Sequence, residues 1–80
     1  MRVSVLAFGI ARDILGTRTL DLDLATGQTV GTVVAELMQR YNDLAKLSSM
    51  LVAVNESYVP DDYVVKEGDE LAIIPPVSGG

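Results

Sequence analysis

The side chains that run most protein chemistry are missing from this sequence. Its 80 residues include no cysteine and no histidine. The first absence removes thiol nucleophiles, thiolate ligands and disulfides; the second removes the commonest general base and metal ligand. Ser78 therefore has no imidazole to activate it. Asp61, Asp62, Glu67, Asp69 and Glu70 lie close together in the chain. They lack the fixed alternation of calcium-loop ligands and read as solvated turn residues. Arg2, Arg12, Arg18 and Arg40 are too scattered to form an anion cradle. The stretch from Gly9 to Gly16 has neither the glycine spacing nor the lysine of a phosphate loop. Tyr41, Tyr58 and Tyr63 read as core-edge or surface residues.

What remains is the end of the chain, Pro75-Pro76-Val77-Ser78-Gly79-Gly80. It offers a carboxylate with two side-chain-free residues at its tip. Glycine resists ordering and is a poor way to finish a stable domain. Its use is access, because a Gly-Gly tail enters a channel too narrow for other dipeptides. A free α-carboxyl has a pKa of about 3.3–3.7, so it is ionised at neutral pH and donates no acyl group until activated. A frayed terminus would look the same, so the rest of the chain must separate the two readings.

The elements that would present this tail can be read in order. Val3 to Phe8 is an apolar run with little alternation, the pattern of a strand central in a sheet. Ile10, Ala11, Ile14 and Leu15 are spaced as on one face of a short helix, stopped by Gly16. Thr19 to Leu24 alternates, predicting a half-buried strand antiparallel to the first. Thr29 is a good N-cap. Val30, Val33, Val34, Leu37, Met38 and Tyr41 then form the clearest helical stripe in the chain, read as a core face. Leu44 to Ser49 is ambiguous and could form a short helical turn. Met50 to Val54 and Tyr58-Val59 read as strands about an Asn55-Glu56-Ser57 turn, and Tyr63-Val64-Val65 has a strand-like composition. After the Glu67-Gly68-Asp69 turn, Glu70 to Ile74 is the final strand, and Pro75 and Pro76 stop it because neither has an N–H for a ladder.

The first and last strands are both apolar enough to be central. A small mixed sheet with one main helix across one face satisfies that economically, with these two strands side by side in parallel. This is an α+β, β-grasp or ubiquitin-like arrangement. The expected organisation is a single domain over residues 1–80, with a folded body at 1–74 and a protruding tail at 75–80. A chain this short buries only about 60–65% of its unfolded surface, and a 49% hydrophobic content can supply the core. No stretch approaches the roughly 18 apolar residues of a membrane span, and the start carries no cleavable-signal pattern. A net charge of −5 argues against nucleic acid and suits a basic partner. The absence of cysteine fits a reducing cytoplasm.

The sequence resembles the small sulfur-carrier subunit of molybdopterin synthase over nearly its whole length. The likeness runs through Val5-Leu6-Ala7-Phe8-Gly9-Ile10-Ala11-Arg12-Asp13-Ile14-Leu15-Gly16 and Thr29-Val30-Gly31-Thr32-Val33. It continues through Val52-Ala53-Val54-Asn55 and Glu67-Gly68-Asp69-Glu70-Leu71 to Pro75-Pro76-Val77-Ser78-Gly79-Gly80. Gly-Gly alone is common to many ubiquitin-like carriers; the Pro-Pro-Val-Ser-Gly-Gly ending is far more specific. The family often has an aromatic before the prolines, where this chain has Ile74.

The resemblance implies a non-catalytic sulfur donor whose partner, the large subunit, holds the active site, the two assembling as a heterotetramer. An ATP-dependent activating enzyme would adenylate Gly80, and a sulfurtransferase would supply the sulfur that makes a thiocarboxylate. The tail would then enter the large subunit and give its sulfur to cyclic pyranopterin monophosphate in molybdenum cofactor biosynthesis. The carrier would bind no cofactor or metal itself. On this reading Gly79 and Gly80 give passage and the acyl group, while Pro75 and Pro76 stiffen the root of the tail. Ile74, Pro75, Pro76, Val77, Ser78 and Gly79 meet the partner. A carrier for thiamine thiazole or transfer-RNA thiolation, or a protein modifier joined through Gly80, would use the same tail.

Overall fold

The computed structural model describes residues 1–47 and 50–75. Along them run β1 (Arg2–Ala7), α1 (Gly9–Leu15), β2 (Thr19–Asp23), α2 (Val30–Arg40), a 3-10 helix (Asn42–Lys46), β3 (Leu51–Val54), β4 (Ser57–Tyr58) and β5 (Glu70–Ile74). The strands form one mixed sheet in the order β2-β1-β5-β3-β4. The first and last strands are central and parallel to each other, as their apolar runs predict. β2 and β3 flank them antiparallel.

Local chemistry sets the boundaries. β1 ends at Ala7 and not Phe8, because Phe8 serves as the N-cap of α1 and Gly9 turns the chain at φ +54°. Ala11 and Leu15 of α1 enter the core, but Ile10 stays half exposed although its spacing puts it on the same face. Gly16 ends the helix in the left-handed region, its N–H donating to the Arg12 carbonyl at 2.9 Å. α2 begins as expected, with Thr29 Oγ1 accepting from the Thr32 N–H at 3.3 Å. Val30, Val33 and Leu37 are fully buried, while Val34, Met38 and Tyr41 pack at the edge of the core. The ambiguous stretch after α2 resolves in part: residues 42–46 form the 3-10 helix, and Leu44 is buried completely.

One expectation fails. Tyr63-Val64-Val65 is not a strand and makes only an isolated bridge, Val64 with Thr29. The reason lies in α2. The first turn of a helix leaves backbone N–H groups without partners. The Val30 N–H donates to the Tyr63 carbonyl at 2.9 Å and the Gly31 N–H to the Asp61 carbonyl at 2.8 Å. The Val65 N–H in turn donates to the Gln28 carbonyl at 2.9 Å. The segment's backbone groups are thus committed to the helix start and not to the sheet.

A single cluster of buried residues joins the layers. Val3, Val5 and Ala7 of β1, Leu71 and Ile73 of β5, and Val52 and Val54 of β3 meet Val30, Val33 and Leu37 of α2 and Ala11 and Leu15 of α1. Each valine, leucine or isoleucine among them contributes roughly 1.5–3 kcal/mol on full burial. The sheet is thereby covered on one face, and β5 is held in its middle.

Candidate functional site

Successive residues of a strand point to opposite faces, so the register identifies what lies on the face away from the helices. Ladder partners share a face. Leu6 pairs with Ala72, Ala72 with Ala53 and Ala53 with Tyr58. One step further along β5, Ile74 pairs with Leu51. In the opposite direction Ser4 pairs with Asp21 on one side and Glu70 on the other. The outer face is therefore divided. Its polar part, Asp21, Ser4 and Glu70, surrounds the start of β5. Its apolar part, Leu6, Ala72, Ala53, Tyr58, Leu51 and Ile74, surrounds the end of β5, where the chain leaves the sheet. Tyr58 and Leu51 are 67% and 56% exposed. Phe8, still extended one residue beyond β1, adds a further exposed ring at this end.

Ile74 and Pro75 are half-buried at the point of departure. Gly9 closes against this point: a Cβ on it would lie 3.5 Å from Pro75 Cγ. Of the sequence-predicted site residues, Ile74 and Pro75 are thus placed at the rim of an exposed apolar surface. Pro76, Val77, Ser78, Gly79 and Gly80 lie outside the described residues.

One sequence reading needs correction. Asp69, taken as a solvated turn residue, is only 6% exposed and accepts hydrogen bonds from Asn55 Nδ2 and the Lys66 N–H. Glu67, its neighbour in the same turn, accepts from the Arg2 N–H at 2.7 Å. Arg12 and Arg18 line one open depression with Asp13, Gly16 and Thr17, and Arg2 and Arg40 do not join them there, so the four arginines form no common cradle. Leu6, Ala53, Leu51 and Tyr58 were not singled out from the sequence, because only the sheet register brings them beside Ile74. Among the described residues, no group of three or more acidic residues is placed to hold a metal ion, and no helix is long and apolar enough to cross a membrane.

The topology, with its parallel central pair and one main helix across the sheet, defines a ubiquitin-like β-grasp domain. Residues 5–80 match the ThiS family, and the chain belongs to that family. It is 40% identical to the molybdopterin synthase sulfur carrier subunit of Arabidopsis thaliana over 81 residues, covering all of this chain and 84% of that protein. It is 34% identical to the protein of the same name from Haemophilus influenzae, covering 98% of this chain and 99% of that one. Among solved structures, SAMP1 (small archaeal modifier protein 1) of Haloferax volcanii superposes with a TM-score of 0.86 at 26% identity, each chain covered completely.

Proposed function

We propose that this chain is the sulfur carrier of a molybdopterin synthase and that the Gly80 carboxylate is its working group. The observation that carries the reading is the apolar surface around Ile74, at the end of the strand that leads into Pro75-Pro76-Val77-Ser78-Gly79-Gly80. Exposed apolar area of this kind tends to mark an interface. A partner seated on it would receive the tail at the same time. The whole-length likeness to sulfur carrier subunits supplies the substrate class.

In the proposed cycle an activating enzyme brings the Gly80 carboxylate to ATP. A carboxylate oxygen attacks the α-phosphate and pyrophosphate leaves, giving an acyl-adenylate. A persulfide on a sulfurtransferase displaces AMP to give an acyl disulfide, and a second thiol of the loading enzymes cleaves its S–S bond, leaving the thiocarboxylate and a disulfide on those enzymes. The carrier then docks on the large subunit through Leu6, Leu51, Tyr58 and Ile74, with the buried Ala53 beneath them. Pro75, Pro76, Val77, Ser78 and Gly79 line the way into that subunit's active site. Sulfur passes to cyclic pyranopterin monophosphate, and water restores the carboxylate. The chain itself holds no cofactor and performs no catalysis; ATP is used by the activating enzyme. These steps belong in the cytoplasm, where ATP is available and a cysteine-free chain has no need of oxidation.

The likeness to SAMP1 favours one other reading, a modifier that forms isopeptide bonds through Gly80. A pulldown from the native cell separates them. The carrier reading predicts stoichiometric recovery of a synthase large subunit and transfer of sulfur to the pterin precursor by the recovered complex. A ladder of covalent conjugates with no large subunit would contradict it.

A further inference from the structure

Two of the motifs singled out in the sequence, Val52-Ala53-Val54-Asn55 and Glu67-Gly68-Asp69-Glu70-Leu71, lie outside the tail. The structure brings their polar residues together at the start of β5. Asn55 is the first residue of the β3–β4 turn, at φ +50°, followed by Glu56 at φ +74°. Two consecutive residues with positive φ make the tight hairpin turn that suits twisted strands, and Asn tolerates this region better than most residues. The Asn55 N–H donates to the Glu70 carbonyl at 2.9 Å. Its side chain adds two further bonds: Oδ1 accepts from the Glu70 N–H at 3.0 Å, and Nδ2 donates to Asp69 Oδ1 at 3.0 Å. The amide orientation follows, because an N–H requires an acceptor and a carboxylate a donor.

Asp69 extends the connection. Its Oδ2 accepts from the Lys66 N–H at 2.9 Å and faces the Tyr63 hydroxyl at 3.5 Å, and its carbonyl accepts from the Ser4 N–H at 3.1 Å. Residues 69 and 70 are thus fixed to β1, to the hairpin turn and to the loop that caps α2. This is more than a strand start needs. β5 pairs with β3 over only four residue pairs, Leu51–Ile74 to Val54–Leu71. The hairpin that Asn55 closes carries Leu51, Ala53 and Tyr58, whereas β5 carries the tail.

We infer that Asn55 and Asp69 are a positioning pair for sulfur transfer: they hold the docking surface of the β3–β4 hairpin at one fixed offset from the tail strand. The inference rests on the function proposed above. A carrier that docks on one strand pair and delivers its end group from another needs that offset, since a misplacement of about 1 Å at a reacting atom costs on the order of 100-fold in rate. Asn55 and Asp69 touch neither sulfur nor substrate and act through β5.

The test exchanges the two side chains. Asn55→Asp sets two carboxylates against each other. Asp69→Asn leaves two donors facing each other, at either Asn55 or Lys66. In the double variant, Asn55→Asp with Asp69→Asn, every bond can form again. The carboxylate at 55 accepts from the Glu70 N–H and from the amide at 69, whose oxygen accepts from the Lys66 N–H. The full-length thiocarboxylated chain is mixed with its large subunit at a temperature where circular dichroism shows each variant folded. Single-turnover transfer at saturating large subunit and the docking Kd are measured separately. Each single variant should transfer about tenfold or more slowly at saturation with little change in Kd, and the double variant should recover most of the loss. Hydrogen exchange at the Leu51 and Ile74 amides should rise in the singles and return in the double, a readout that does not depend on sulfur chemistry. If a single variant does not fold, Asn55→Gly serves, because glycine keeps the positive φ while removing the clamp. Single variants, or Asn55→Gly, that transfer at the parental rate would overturn the inference, as would a double variant as slow as the singles. If the parental chain transfers no sulfur, the functional reading fails instead, and unchanged exchange in the singles would overturn the fixed offset on its own.

Discussion

Gly9 is the residue whose replacement separates backbone conformation from contact. It sits at φ +54° and backs onto Pro75, the first residue beyond β5. A residue with a Cβ in the left-handed region costs roughly 1–2 kcal/mol, most for β-branched side chains. Gly9→Val should therefore lower stability by about 1–2 kcal/mol, read from the denaturation midpoint. Gly9→Asn should cost clearly less, since Asn adopts this conformation more readily. Equal losses in the two variants would show that space beside Pro75, and not φ, decides. Asp69 teaches the complementary point. In the sequence it is one acid among five in turn-rich chain; in the fold it is the buried one, because Asn55 and Lys66 supply donors that a short-range reading cannot see.

At the scale of elements, the divided outer face of the sheet carries the prediction. The polar and apolar parts share β1 and β5, so along those two strands they differ in surface chemistry and not in fold. Leu51 is 56% exposed and pairs with Ile74, so a charge there should be tolerated by the monomer. Leu51→Asp should weaken binding of the large subunit by about 2 kcal/mol if the residue is an interface anchor. Asp21→Ala, in the polar part, should leave binding unchanged. Calorimetric titration of both variants checks this, and equal affinities would move the docking surface elsewhere. Elements with local causes were legible in the sequence: the stripe of α2, its Thr29 cap, the Gly16 stop and the parallel central strands all follow from period and composition. The Tyr63-Val64-Val65 stretch was not legible as a loop. Its β-like residues gave no sign that the first N–H group of α2 would claim the Tyr63 carbonyl. The docking face was legible only at Ile74, since Leu6, Ala72, Ala53 and Tyr58 come from four strands whose register no single segment reveals.

For the molecule as a whole, the account assigns folding and function to different parts of the chain. Among the described residues the buried core runs as far as Ile73, and the group proposed to work is at Gly80. A sequence without cysteine cannot carry sulfur as a persulfide, and one without histidine lacks the usual base for activating its own carboxylate. On the proposed function, sulfur is loaded from outside, at the Gly80 carboxylate, at the expense of ATP. Intact-mass spectrometry after incubation with the activating enzyme, ATP and a sulfur source measures this directly, with a chain lacking Gly79 and Gly80 as the control. The full chain should gain the difference between a sulfur and an oxygen atom, fragmentation should place the change on Gly80, and the shortened chain should gain nothing while melting at nearly the same temperature. A gain that maps to a lysine or serine, or that appears without ATP, would contradict the account.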